Sequence, residues 1–330
     1  MKLELLHKAA EGAPKPVKLL FIHGICTGAW VWEPHFLPFF AKLGYDSYAL
    51  SLRGHGGSEG REKVREFALS DFADDIAWAL SEIDGPAVII GHSFGGGVVQ
   101  NFVQRGGKAA GAVLLCSAPP HGLIRASAAM YAANPKLAHE MKTVLHQGPG
   151  TANLTIIEDG LLSEPPSPEL RQRFAEGIGD LAEKASGQLI GWFPFAPFPW
   201  GMPKLLVVGG EKDQFMPVAD VRLTAIYYGA RSVIVPNGAH AMMLDRNWRD
   251  AAQPIADWLA KTIKGGGVLA IAGSLEAKLI TPSSRRAATG ILFVSLLTGV
   301  IVIAGGPTFL LALILGPVAE HFATQAGLPF

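Results

Sequence analysis

Six short apolar runs, each stopped by turn residues, limit what this chain can become. They fall at residues 17–24 (VKLLFIHG), 45–52, 87–92 (AVIIGH), 111–117, 204–210 (KLLVVGG) and 232–236. Nearly continuous apolarity over so few residues is the pattern of strands buried on both faces, as in a parallel sheet. Between them lie segments with helical spacing of apolar residues at about 30–43, 67–83, 94–105, 217–229 and 247–263. Strand alternating with helix predicts an α/β fold with a mostly parallel central sheet. With 330 residues the chain is long enough for one large core, and a second domain is not required.

The alternation breaks twice. Between about 119 and 201 a long insertion opens at Pro119 and Pro120 and closes on GWFPFAPFPWG, with a helical centre, so a helical cap over the sheet edge is expected. After a linker-like GGG at 265–267, residues 291–316 carry no charge at all. That length exceeds the ~20 apolar residues that cross a bilayer core. The expected organisation is therefore an α/β domain at 1–264 and a linker with membrane anchor at 265–330. Gly305, Gly306 and Pro307 divide the apolar run, which leaves one kinked transmembrane helix or a hairpin open. Lys261, Lys264, Lys278, Arg285 and Arg286 precede it, whereas only Glu320 and His321 follow, which favours a membrane protein whose larger domain faces the cytoplasm. Ser295 and Gly299 form one small-xxx-small pair, so association through membrane helices is open.

The 28 basic residues balance the 28 acidic ones, so a basic nucleic-acid surface has no support. Cys26 and Cys116 both sit in or beside apolar runs and are expected to pack rather than to pair or react. The first sixteen residues lack the apolar core of a secretory signal. No cluster of Cys, His or Asp has metal-ligand spacing, and the glycines at 54–57 lack the dinucleotide fingerprint, so neither metal nor cofactor is expected.

The hexapeptide GHSFGG at 91–96 follows the apolar AVII and precedes the helical GVVQNFVQ. A serine hydroxyl is a poor nucleophile unless it stands clear of its own chain, beside a base and facing donors for an oxyanion. A strand turning directly into a helix presents Ser93 in that way, and Gly91, Gly95 and Gly96 keep side chains out of the turn. The helix start adds its dipole and a free N–H at Phe94.

With FIHG at 21–24, SLRGHGGSEG at 51–60 and GHSFGG at 91–96 in this order, the chain resembles the α/β-hydrolase family, its lipase, lysophospholipase and esterase members in particular, over residues 17–263. The resemblance implies a catalytic triad in the order Ser93, Asp213, His240, with Asp213 in LLVVGGEKDQFMP and His240 in VIVPNGAHAMMLD. It implies an oxyanion hole from the backbone N–H groups of Ile25 and Phe94, and supporting roles for His23 and His92. His55 is expected as a loop hydrogen-bonding residue, and Glu211 and Asp220 are the rivals to Asp213. Trp30, Trp192, Phe195 and Trp200 are expected as substrate-binding aromatics, although such a cluster also suits a core.

The expected function is a membrane-anchored serine hydrolase with no cofactor, cleaving carboxylic esters through an acyl-Ser93 intermediate. A lipophilic partner such as a monoacylglycerol or lysophospholipid would fit a membrane tail. The same fold and triad also allow an acyltransferase, thioesterase, amidase or lyase, and a membrane-tethered binding protein is a further alternative.

Overall fold

The computed structural model describes residues 1–190, 194–196 and 198–263. Its strands are β1 (Glu4–Lys8), β2 (Lys18–Ile22), β3 (Ser47–Ser51), β4 (Ala87–His92), β5 (Gly111–Leu115), β6 (Leu205–Gly210) and β7 (Arg231–Val235). They form one sheet in the order β1-β3-β2-β4-β5-β6-β7. All neighbours from β3 to β7 are parallel; β1 alone runs antiparallel, with Glu4 opposite Ser51 and Lys8 opposite Ser47.

Strand β1 is an addition to the six strands expected from the sequence. It is a short, half-exposed edge strand held as much by side chains as by pairing. The Glu4 carboxylate accepts from Ser51 Oγ at 2.5 Å and the Gly57 N–H at 3.0 Å, while the Glu4 N–H donates to Ser58 Oγ at 2.9 Å.

The helices of the main layers are α1 (Phe36–Lys42), α2 (Leu69–Glu82) and α3 (Phe94–Gln104). Between β5 and β6 lie α4 (Ile124–Ala133), α5 (Pro135–Gln147), α6 (Leu154–Leu161), α7 (Pro168–Gly177) and α8 (Glu183–Ile190), and α9 (Val218–Tyr228) and α10 (Trp248–Thr262) complete the order. The helix expected at 30–43 divides into a tight turn at Ala29–Trp32 and α1. Pro34 between them lacks the N–H that a continuous helix would use.

Strand side chains alternate between two cores, which is why the strands read as unbroken apolar runs. Leu19, Phe21, Val88 and Ile90 face the layer of Phe36, Phe40, Trp248 and Ile255. Leu20, Ile22 and Ile89 face Phe72, Ile76, Val98 and Val221. Each fully buried large side chain contributes about 1.5–3 kcal/mol, so the ends of the strands are anchored in well-buried layers on both faces of the sheet.

The helical insertion is present as α4–α8. Helix α5 starts at a sequence-coded cap: the Asn134 side chain accepts from the Leu137 N–H at 3.1 Å and Pro135 takes the first helical position. The apolar run 291–316 lies outside the described residues. Among the described residues no helix is long and apolar enough to cross a membrane.

Candidate active site

Strand β4 ends at His92, α3 begins at Phe94, and Ser93 alone makes the turn, with φ +52° and ψ −117°. For a residue with a side chain this conformation costs on the order of 1–3 kcal/mol and persists only where the surroundings over-determine it. Those surroundings are visible. The Ser93 N–H donates to Leu115 O at 3.0 Å, and Ser93 O accepts from Gly96 and Ala118, each at 3.1 Å. A Cβ on Gly95 would lie 2.3 Å from His23 O, and one on Gly96 would lie 2.2 Å from Ser117 Oγ. The glycines of GHSFGG thus let the turn press against the ends of β2 and β5.

Two further turns at the same end of the sheet bring the partners. His240, after β7, has Nε2 at 2.9 Å from Ser93 Oγ and Nδ1 at 2.9 and 3.0 Å from the two carboxylate oxygens of Asp213, which follows β6. With the proton on Nδ1 donated to Asp213, Nε2 is left to accept from the serine hydroxyl. Asp213 Oδ1 also accepts from the N–H groups of Phe215 at 2.8 Å and Met216 at 2.9 Å. Burial opposes the charge on Asp213, but the facing His240 and these hydrogen bonds outweigh it and hold the carboxyl below its ordinary value. The rivals are engaged elsewhere: Glu211 accepts from the Asn237 N–H at 2.9 Å, and Asp220 pairs with His121 and Arg125, each at 3.3 Å.

Three more histidines are buried around this centre. His92 donates from Nε2 to His240 O at 3.0 Å. His23 accepts from the Leu52 N–H at 3.0 Å and donates from Nδ1 to Gly24 O at 2.6 Å. Burial pushes both down to about 3, so neither takes up a proton near neutrality. His55 donates to Arg53 O at 3.0 Å.

Cys116 was expected only to pack. It is fully buried, yet its sulfur also lies within 4.8 Å of ligand atoms of Asp213 and His240. Burial drives its thiol well above the ordinary value, so it stays protonated beside the carboxylate.

The backbone N–H groups of Ile25 and Phe94 have no acceptor among the described residues. Both residues line a cavity of about 340 Å³ that opens on Ser93 and is walled by apolar groups including Leu123, Ala126, Met130, Leu189 and Met216. A second cavity of about 110 Å³ meets Ser93 from the other side, beside His240, Cys26, Leu161 and Leu244.

The aromatic expectation needs correction. Trp30 lines neither cavity: it packs edge-on against Phe174 at the border of the core, ring centroids 5.5 Å apart, while Trp32 is fully buried in that core. Phe195 is half-buried against the core, and Trp200 is 69% exposed against Phe198. Neither lines a cavity at Ser93. Trp192 lies outside the described residues. The residues that do line the large cavity come chiefly from α4, α5 and the Asp213 turn, as Met130, Met141, Leu145, Phe215 and Met216. A signal for them existed in the small residues Ala126 and Ala138, spaced along α4 and α5, and in the FMP that follows Asp213.

Several comparisons bear on the chain. Residues 211–322 match the family described as Potassium-transporting ATPase A subunit. The potassium-binding subunit of such an ATPase from Methylorubrum extorquens is 58% identical over 65 residues, 19% of this chain and 11% of that protein. The one from Rhizobium rhizogenes is 38% identical over 109 residues, 32% of this chain and 19% of that protein. The chain therefore spans only 11% and 19% of these relatives' length. Within the match, residues 211–255 hold α9, β7, which is the last strand of the sheet described above, and the start of α10.

Among solved structures, an esterase from Exiguobacterium antarcticum superposes with a TM-score of 0.61 at 16% identity, covering 78% of this chain and 95% of that one. An esterase from Thermogutta terrifontis gives 0.56 at 20% identity over 78% and 94% of the two chains. A bromoperoxidase from Bacillus anthracis gives 0.56 at 17% over 78% and 96%. These likenesses establish the fold. The family described as Alpha/beta hydrolase family matches residues 19–255, most of the chain and the sheet from the second residue of β2 through β7. The chain belongs to the alpha/beta hydrolase family.

Proposed function

We propose that the chain is a serine esterase in which Ser93 is the nucleophile, His240 the proton carrier and Asp213 the group that orients it. The observation that carries this reading is the continuous row Ser93 Oγ, His240 Nε2, His240 Nδ1 and Asp213 carboxylate, with steps of 2.9 Å. Ser93 Oγ attacks the ester carbonyl carbon as its proton passes to His240 Nε2. The carbonyl electron pair moves onto oxygen, which the N–H groups of Ile25 and Phe94 receive. Losing one such donor typically costs about 10²–10³ in rate. The intermediate collapses, the alkoxide leaves with the proton from His240, and an acyl-Ser93 ester remains. Water then gives a proton to His240 while its oxygen attacks, and the acid departs as the proton returns to Ser93. Asp213 stays ionised throughout, stabilising the imidazolium as it forms.

Apolar cavity walls favour a lipophilic ester. The uncharged run 291–316 and the likeness of 211–322 to a subunit of a potassium-transporting ATPase support a membrane anchor, with the hydrolase domain on the cytoplasmic side.

A fluorophosphonate probe tests the chemistry: it should label the full chain and fail on Ser93→Ala. An unlabelled chain that also turns over no ester would overturn the reading. For the anchor, the full chain should stay in the pellet when membranes are washed with alkaline carbonate, and its release into the supernatant would refute insertion.

A further inference from the structure

Ser93 stands between two cavities of unequal size, and only one of them is bordered by His240. The larger, about 340 Å³, has Ser93, Ile25 and Phe94 on its floor and does not include His240. The smaller, about 110 Å³, is lined by Ser93, Ile25 and His240 together. Both meet at Ile25 and Ser93, with Met141, Val144 and Phe215 bordering each, so the two sides of an ester held at Ser93 face different cavities.

This asymmetry carries a chemical consequence. In ester cleavage the leaving oxygen takes its proton from the base, so the alcohol must lie on the side of the imidazole, within hydrogen-bond reach of Nε2. The acyl carbon is bonded to the nucleophile and its oxygen faces the two amide donors, which leaves the acyl chain the remaining direction. Here that direction is the large cavity.

Resting on the serine-esterase reading, we infer that the substrate joins a long or bulky apolar acid to a short alcohol. The acyl chain lies among Leu123, Ala126, Met130, Leu145 and Leu189, and the alcohol lies against Leu161, Ala241 and Leu244. The acyl chain can extend beyond the volume of its cavity, because the wall ends at exposed Tyr131, Lys142 and His146. On the alcohol side none of the lining residues, Phe174, Ile157 and Met243 among them, is exposed, and the walls are apolar apart from Thr27 and the turns that carry His92, Ser93 and His240. A glycerol or phosphodiester headgroup on the alcohol side fits this shape poorly. The lipid esters suggested by the membrane tail are therefore disfavoured against short-alkyl esters of long acids.

A matrix of simple alkyl esters tests the assignment, with the full chain and acid release followed in a pH-stat. Acyl length is varied from acetate to octanoate on a methyl ester, and alcohol length from methyl to butyl on the octanoate. We expect kcat/KM to rise about tenfold or more along the first series and to fall by a similar factor along the second, as apolar pockets discriminate chain length. Two variants locate the effect. Ala126→Trp should lower the octanoate-to-acetate ratio, and Leu161→Ala should raise the butyl-to-methyl ratio. Both readouts are ratios within one protein, so a reduced folded fraction cancels. A flat matrix, a reversed preference or variants that shift the wrong ratio would overturn the assignment alone. No turnover of any ester, together with no fluorophosphonate labelling, would overturn the esterase reading on which it rests.

Discussion

The turns at the end of the sheet and the helices that roof them are built to different tolerances. Helix α3 buries nine of its eleven residues, and the turn before it leaves no space for a methyl group on Gly95 or Gly96. Helix α4 in the roof buries only Ala126, and α7 only Phe174. The Ser93 turn thus sits on the tightly packed part, whereas part of the cavity wall comes from helices that bury few of their residues. Dense packing holds side chains in single geometries, whereas sparse packing lets a wall change without disturbing what it covers.

Substitutions can break or sharpen that contrast. The largest effect is expected for Ser93→Ala, which should reduce ester turnover by about 10⁶-fold with little change in the melting temperature. Asp213→Asn should cost about 10⁴-fold in kcat, because the imidazole loses the acceptor that fixes its tautomer. Next comes Gly95→Ala, whose methyl group must displace backbone. It should cost roughly 1–3 kcal/mol in urea unfolding, and an unchanged midpoint would show that the floor is softer than its contacts imply.

Acid should act on the floor as well. His23 and His92 at about 3 and His55 at about 4 remain neutral when folded, while the unfolded chain binds protons below about 6.5. Between those values the unfolded state holds more protons, so stability falls as pH drops from 6.5 toward 4. Asp75 and Asp245, which burial raises, work in the opposite direction from their ordinary value upward. Three histidines with drops this large should dominate, giving a melting temperature that declines steadily from pH 7 to pH 4. A flat profile would contradict their burial. The smallest effect is reserved for Trp200→Ala at the end of the roof, expected within ~0.5 kcal/mol of the parent and with kcat/KM unchanged; a loss comparable to that of Gly95→Ala would erase the contrast.

The same contrast governs what could be read from the residues alone. That Ser93, Asp213 and His240 would meet was legible through the family resemblance, because each lies in a turn next to a strongly apolar strand and the turns come in the family's order. The parallel strands were legible from the apolar runs themselves. Strand β1 was not, since ELLHK is short, half-exposed and defined by its partner Ser47–Ser51 and by Glu4 reaching the loop at 57–58. The aromatic residues misled because apolar size predicts burial without saying against what. Trp30 and Phe195 are indeed packed, but on the core, while the cavity is lined by methionines, leucines and small alanines whose helical spacing looks like any amphipathic surface. Vacant space is a property of several helices together and leaves no mark in one of them.

The loop after β6 joins the two halves of this contrast. Asp213 is clamped by the amides of Phe215 and Met216, and the side chains of those two residues form part of the large cavity wall. Reshaping that wall for a new acid therefore tugs on the carboxylate that aligns the imidazole. Laboratory evolution toward other acids should find its freely adjustable positions on α4 and α5, and should meet strong epistasis whenever it touches residues 215 or 216.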